Sequence, residues 1–364
     1  MKKILCPICL SSKYIKKIDS DYICKNILNR EVIIKQKKRK TNSGSSNNTD
    51  NTDTVNKEYC NTKLMPRYVE TTKMHKVIIF IVGYRNHGKT VYNDIMMASI
   101  KNIYKNEIWD GYAQFVNQKA EEHYSEIPKW ILNGHCPPST QIKDPVPIVY
   151  RMHNVPMFGD IVPMFYDVKG ELFEKLEKIS PGAKYLAKSP VVLFLVSLKD
   201  LIENNNDDEL EWQDKLHRLL QIFDLGVCRS TKQELVVILS KGDKLFDIGM
   251  DQKVIDYLNE GDIDVYKFDD KTNKKKTSKN VLQYIENMKN ISKIIRNWLI
   301  ENKCKEFINH ADSVFKNVEF CIVSSLGSDP IDNKMHREIR PNDPKRILDP
   351  FLWMIEKQAR KSFF

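Results

Sequence analysis

The stretch VIIFIVGYRNHGKT, Val77–Thr90, decides how this 364-residue chain is read. Its first six residues are continuously β-branched or apolar, the pattern of a strand covered on both faces. The chain then turns through Gly83, Tyr84, Arg85, Asn86, His87, Gly88, Lys89 and Thr90, which fits G-x-x-x-x-G-K-[ST]. A helical pattern follows over Thr90–Tyr104. Strand, glycine-bearing loop and helix in that order are what a phosphate cradle needs. The glycines let the backbone wrap an anion, and the helix N-terminus offers amides and a positive dipole end. Gly83, Asn86, His87, Gly88, Lys89, Thr90 and Val91 are the candidate phosphate contacts. Lys89 would reach the outer phosphates, and the Thr90 hydroxyl would ligate Mg²⁺.

Working outward, apolar runs of strand length alternate with amphipathic stretches. The runs are VPIVYRM (Val146–Met152), IVPMFY (Ile161–Tyr166), VVLFLV (Val191–Val196), LVVIL (Leu235–Leu239) and VEFCIV (Val318–Val323). Pro147 and Pro163 move two of these toward sheet edges or shorten them. Helical patterns cover Trp109–Leu132, Trp212–Phe223 and Val281–Phe307. The alternation predicts an α/β fold with a mostly parallel central sheet and helices on both faces.

Three further motifs each follow a strand. Asp167-Val168-Lys169-Gly170 ends IVPMFY; Asp167 could reach Mg²⁺ and the Gly170 amide a terminal phosphate. A strand-ending turn would use the same residues. Ser240-Lys241-Gly242-Asp243 follows LVVIL and resembles the [NT]-K-x-D base-reading motif. A fixed Asp243 carboxylate can accept from the N1 and N2 groups of guanine, a donor pair that adenine lacks. The aliphatic stem of Lys241 would lie over the base. Ser324, Ser325 and Leu326, before Gly327, are similar to a short loop whose backbone meets the guanine oxygen. Thr140, in GHCPPSTQIKDP, is placed like a switch threonine that ligates Mg²⁺, and it suits an ordinary loop as well.

The order of these elements resembles a TRAFAC-class, Ras-like P-loop GTPase domain over about residues 76–364. YDVKGE (Tyr166–Glu171), VEFCIVSSLG and PKRILDPFLWMIEKQ (Pro344–Gln358) are similar to bacterial zinc-ribbon proteins that carry a double-GTPase-type domain. That resemblance implies GTP/GDP as ligand, Mg²⁺ as cofactor, slow hydrolysis, and a switch role in a bacterial signalling or conflict system with a protein partner or activator. It assigns catalytic roles to Lys89, Thr140, Gly170 and Glu171. Glu171 stands where a water-orienting Gln often sits, Ser240 where Asn or Thr is usual, and Arg85 where Gly is frequent. Two other readings stay open: a nucleotide-gated binding module that does not hydrolyse, and a nucleic-acid binder using the N-terminal module and the basic runs.

That module holds Cys6, Cys9, Cys24 and Cys60, a C-x₂-C pair and a split second pair with thiolate chemistry suited to a structural Zn²⁺. Lengthening the loop between Cys24 and Cys60 costs about 0.6 kcal/mol per doubling, against roughly 10–16 kcal/mol from structural zinc. The expected organisation is a zinc-ribbon-like module over residues 1–34 plus 58–66 and a GTPase domain over 76–364 with a long insertion at about 247–312. Residues 35–57, KQKKRKTNSGSSNNTDNTDTVNK, bury almost nothing apolar and are expected to be disordered.

Lys+Arg 58 against Asp+Glu 48 leaves a net charge of +10, concentrated only at Lys35–Lys40 and Lys271–Lys279. That excess permits nucleic-acid contact but lacks the interleaved aromatics of a strand-binding groove. No run reaches the roughly 18 apolar residues of a membrane span, and MKKILCPICL lacks the apolar core of a signal peptide. A cytoplasmic location is expected, with Cys136, Cys228, Cys304 and Cys321 as buried small hydrophobes.

Overall fold

Two compact units, Met1–Thr72 and Lys73–Phe364, divide the computed structural model of the chain. It describes residues 4–10, 15–18, 21–25, 60, 62–83, 87–116, 121–122, 147–167, 189–198, 233–261, 263–268, 273–327, 331–332, 337–338 and 344–359. The tract 35–57 and the expected helix at Trp212–Phe223 lie outside these residues.

The first unit is built on a three-stranded antiparallel sheet, β1 (Ile15–Ile18), β2 (Asp21–Cys24) and β3 (Lys63–Leu64). A short helix α1 (Pro66–Glu70) follows, started by a proline at its first turn, where the missing N–H costs nothing. The Tyr68 hydroxyl donates to the Leu5 carbonyl at 2.6 Å and closes the unit.

The second unit is organised by a seven-stranded sheet. Its strands are β4 (His75–Val82), β5 (Ala113–Phe115), β6 (Ile148–Val155), β7 (Gly159–Asp167), β8 (Val191–Ser197), β9 (Glu234–Ser240) and β10 (Asn317–Ile322), in the order β10-β9-β8-β4-β7-β6-β5. The five strands from β10 to β7 run parallel, and β6 and β5 are antiparallel. Every position of β8 and β9 is buried, which requires cover on both faces and explains their unbroken apolar sequence.

Around the sheet stand α2 (Lys89–Lys105), α3 (Gln252–Asn259), α4 (Lys274–Leu299), α5 (Lys305–Val314) and α6 (Asp349–Ala359). Two hairpin strands, β11 (Ile331–Asp332) and β12 (Arg337–Glu338), pair with each other. Helix α6 packs across β4, β8 and β9 with Phe351 and Trp353 fully buried, and α4 packs on β10. Ile78 lies two residues before the β4–β8 ladder begins. There the Gln358 side-chain amide takes the place of a strand, accepting from the Ile78 N–H at 2.9 Å and donating to its carbonyl at 2.8 Å. No helix among the described residues is long and apolar enough to cross a membrane.

Two expectations are corrected and a third is refined. Pro163 does not push β7 to an edge, because β7 is flanked by β4 and β6. The β6 ladder pairs Val149 with Met164 and Met152 with Ile161, and the missing N–H of Pro163 falls between those pairs. Trp109–Leu132 does not open as a helix: Gly111 takes φ +120°, and Ala113–Phe115 pairs with β6 as an edge strand. A Cβ at Gly111 would meet the His153 carbonyl at 2.7 Å, so only glycine lets the chain pass there. Val281–Phe307 is helical throughout, as expected, but not α-helical throughout. A single π turn at Ile300–Cys304 separates α4 from α5, where the Asn302 side chain donates to the Trp298 carbonyl and competes with the helical ladder.

Candidate functional site

Strand β4 has β8 on one side and β7 on the other, and the chain moves from one side to the other between β7 and β8. In open parallel sheets a ligand crevice forms at such a reversal, outside the carboxyl ends of the strands. At β4 that end is Val82–Gly83, where the glycine-bearing loop begins. A Cβ on Gly83 would lie 2.5 Å from the Leu195 carbonyl of β8, so the loop leaves the sheet in van der Waals contact with the neighbouring strand. The loop rejoins regular structure at Gly88, whose φ of +84° is left-handed. The helical ladder of α2 starts with the Tyr92 N–H on the Gly88 carbonyl at 2.8 Å, so the amides of Gly88, Lys89, Thr90 and Val91 precede it. The Lys89 ammonium curls back over the loop and donates to the Gly83 carbonyl at 2.7 Å. A lysine nine-tenths buried at a helix N-terminus suits an anion.

The segment Ser240–Asp243 meets this loop through one side chain. Ser240, the last residue of β9, points its hydroxyl at the His87 carbonyl (3.0 Å) and the Val196 carbonyl (3.2 Å), sharing one proton between them. The buried His87 ring places Nδ1 3.1 Å from the Leu195 carbonyl. Lys241 is left-handed (φ 60°), and Asp243 sits in the short 3₁₀ segment Gly242–Ile248. Gly242 donates to the Val323 carbonyl at 2.9 Å, and Ser324 donates its hydroxyl to Asp243 Oδ1 at 2.9 Å. Ser324 Oγ also accepts the Gly327 amide at 3.1 Å, curling Ser325 and Leu326 into a tight loop. Gly83, His87, Gly88, Lys89, Thr90 and Val91 thus share one strand–helix junction, and Ser240 to Asp243 with Ser324 to Leu326 share the adjoining loops. Asp167 ends β7 on the same edge of the sheet. Asn86, Thr140, Gly170 and Glu171 lie outside the described residues.

A polar cluster that the sequence reading missed adjoins these loops. Asp349, buried at the start of α6, accepts from the hydroxyls of Tyr257 (2.5 Å), Tyr284 (2.6 Å) and Tyr266 (3.1 Å). Arg346 donates from Nε to the Tyr257 carbonyl at 2.7 Å and from a terminal nitrogen to the Tyr284 hydroxyl at 2.9 Å. Its guanidinium lies 3.5 Å over the Tyr257 ring. Burial pushes the Asp349 carboxyl up from its usual range, while Arg346 and the three hydroxyls draw it back down. Burial, reinforced by the Asp349 charge, pushes all three phenols well above 10. The sequence signal for it was an Arg and an Asp within the otherwise apolar run Arg346–Ile355.

In the first unit, Cys6, Cys9, Cys24 and Cys60 are all buried, and their sulfur atoms lie within 4.8 Å of one another. Cys6 and Cys60 sulfurs are 3.8 Å apart, and those of Cys9 and Cys24 3.6 Å. Both separations exceed a disulfide bond. Four thiolates about 2.3 Å from one zinc ion stand roughly 3.8 Å from each other in a tetrahedron, so the spacing fits. The neighbouring Cys9 thiol, together with burial, pushes the Cys6 thiol up, and a divalent cation at the centre would reverse that.

No protein-family model and no curated protein sequence matches the chain. Among solved structures it is similar to the GTPase-like domain of S. cerevisiae Ski7, crystallised with GDP and inorganic phosphate. The match covers 78% of this chain and 50% of that one, at 14% identity and a TM-score of 0.34. The chain therefore spans about half the length of that structure, and a likeness so loose assigns neither fold nor ligand.

Proposed function

We propose that the second unit binds guanine nucleotide with Mg²⁺ and hydrolyses GTP slowly, as a switch read by a protein partner. The observation that supports this most is the hydrogen bond from Ser240 to the His87 carbonyl, which ties the loop before α2 to the end of β9. Gly83–Val91 cradle the phosphates, with Lys89 leaving the Gly83 carbonyl for the anion. Asp243 reads the N1 and N2 groups of guanine, Lys241 covers the base, and the loop Ser324–Leu326 faces the base oxygen. Thr90 and Asp167, with Thr140, would hold Mg²⁺, which shields phosphate charge when bound. Glu171 would bring a charge near an anionic phosphate, so intrinsic turnover is expected to be no faster than on the order of 10⁻² s⁻¹ until a partner supplies a cation. The Cys module over residues 1–34 and 58–66 carries one structural Zn²⁺, residues 35–57 form a low-complexity insertion, and the helical insertion at about 247–312 of the 76–364 domain offers the partner surface.

Titration of Mg·GDP and Mg·ADP into the whole protein and into Lys89→Ala, followed by single-turnover GTP hydrolysis, tests the reading. Micromolar or tighter GDP binding that largely disappears in Lys89→Ala supports it. Equal affinity of the variant and the parent would remove the phosphate loop from the account. Binding without turnover would leave a nucleotide-gated binding module.

A further inference from the structure

Arg346 holds a φ of 54°, in the left-handed region that a residue with a side chain rarely adopts. Such strain persists where the surroundings over-determine it, and it gathers at sites where geometry matters. Here the surroundings are the polar cluster. The Arg346 amide donates to the Gly261 carbonyl at 3.3 Å, its side chain bonds Tyr257 and Tyr284, and Asp349 completes the cage from α6. Gly261 packs so closely that a Cβ there would lie 2.9 Å from Arg346 Cγ.

The residue before it does something different. Lys345 pairs with Ser324 through both backbone bonds, Ser324 N–H to the Lys345 carbonyl at 3.1 Å and Lys345 N–H to the Ser324 carbonyl at 2.8 Å. Ser324 in turn donates its hydroxyl to Asp243. From the buried guanidinium to the base-reading carboxylate there is one peptide bond, one two-bond backbone bridge and one side-chain hydrogen bond.

We propose that Arg346 is a positioning residue for base recognition: its cage fixes Lys345 against Ser324, and Ser324 then fixes the orientation of Asp243. This rests on the guanine-reading assignment of residues 240–243 and 324–327. Arg346 itself does not touch the nucleotide. Without its forked contacts the left-handed turn relaxes, the bridge to Ser324 loosens, and Asp243 swings away from the guanine edge. The phosphate end, held by Gly83–Val91, is left as it was.

The test is calorimetric titration of Mg·GDP and Mg·ADP into the full chain, into Arg346→Lys, which keeps the charge and loses the fork, and into Tyr284→Phe, which keeps the ring and loses one hydroxyl. ADP reports the phosphate end alone. The preference for GDP over ADP should fall about tenfold or more in Arg346→Lys and by a smaller factor in Tyr284→Phe, with ADP affinity changed less than about threefold. If Arg346→Lys does not fold, Tyr284→Phe decides by the same ratio. Equal loss of GDP and ADP, or a retained preference in both variants, would overturn the positioning role while leaving the guanine reading intact. A parent protein with no preference for GDP would overturn both.

Discussion

Ser324 donates its hydroxyl to Asp243 Oδ1 at 2.9 Å, tying the loop after β10 to the loop after β9. A carboxylate has room for about four hydrogen bonds, so this one orients Asp243 and leaves the rest of its capacity for a ligand. Ser324→Ala should therefore weaken GDP binding about five- to tenfold, near 1 kcal/mol, without changing ADP binding. Competition of the two nucleotides for the variant checks it, and an unchanged GDP constant would show that Asp243 is oriented by something else.

The two glycines Gly83 and Gly88 should respond differently to the same methyl group. Gly83→Ala drives a Cβ to 2.5 Å from the Leu195 carbonyl, so β4 and β8 must part. Overpacking of that kind costs about 1–3 kcal/mol. A Cβ on Gly88 meets nothing within 4 Å, and only its φ of +84° is strained, a cost of about 1–2 kcal/mol. Denaturant midpoints should rank the parent first, Gly88→Ala second and Gly83→Ala last.

Purified without chelators, the protein should carry about one zinc per chain, and Cys24→Ser should lose most of it. Deleting residues 35–57 should leave both zinc content and GDP affinity intact, since that tract has almost no apolar surface to bury. Elemental analysis that finds no zinc in the parent would leave four protonated thiols in a buried cluster.

Much of this was legible in the sequence for simple physical reasons. β8 and β9 are buried at every position, so their apolar runs needed no periodicity to stand out, and the start of α2 is marked by the loop that feeds it. Four cysteines announce themselves by chemistry even with 35 residues between the last two. Other features had no local signature. The edge strand Ala113–Phe115 exists because β6 is there to pair with it, and its own sequence reads as helix. Pro163 is accommodated inside the sheet because the register of β6 on β7 continues unchanged from Val149–Met164 to Met152–Ile161 around its missing N–H. The cage around Asp349 draws Tyr257, Tyr266, Tyr284 and Arg346 from four separate segments, and no spacing rule links them.

The buried phenols should set an alkaline limit on the second unit. Tyr92, Tyr257, Tyr266 and Tyr284 are pushed well above 10, by burial first and by the Asp349 charge as well. Their folded values exceed the unfolded one, so the native state keeps protons that the unfolded chain releases above about 10. The stability they contribute is whole below that pH and is lost as pH rises beyond it. Tyrosinate absorbance should show these four ionising together with loss of near-ultraviolet circular dichroism, separately from the exposed tyrosines. Ionisation of all tyrosines near 10 with the fold intact would mean the cage is open to water.

Asp243→Asn separates guanine recognition from every other role of this loop. In the proposed reading the carboxylate would accept from the N1 and N2 groups of guanine; an amide in its place would present a donor that matches the second oxygen of xanthine. Titrated with Mg·GDP and Mg·XDP, the variant should lose GDP affinity by about a hundredfold and bind XDP better than the parent does. The Ser324 hydrogen bond can persist, because the amide oxygen still accepts. A variant that binds GDP as tightly as the parent and gains nothing for XDP would contradict guanine recognition at Asp243.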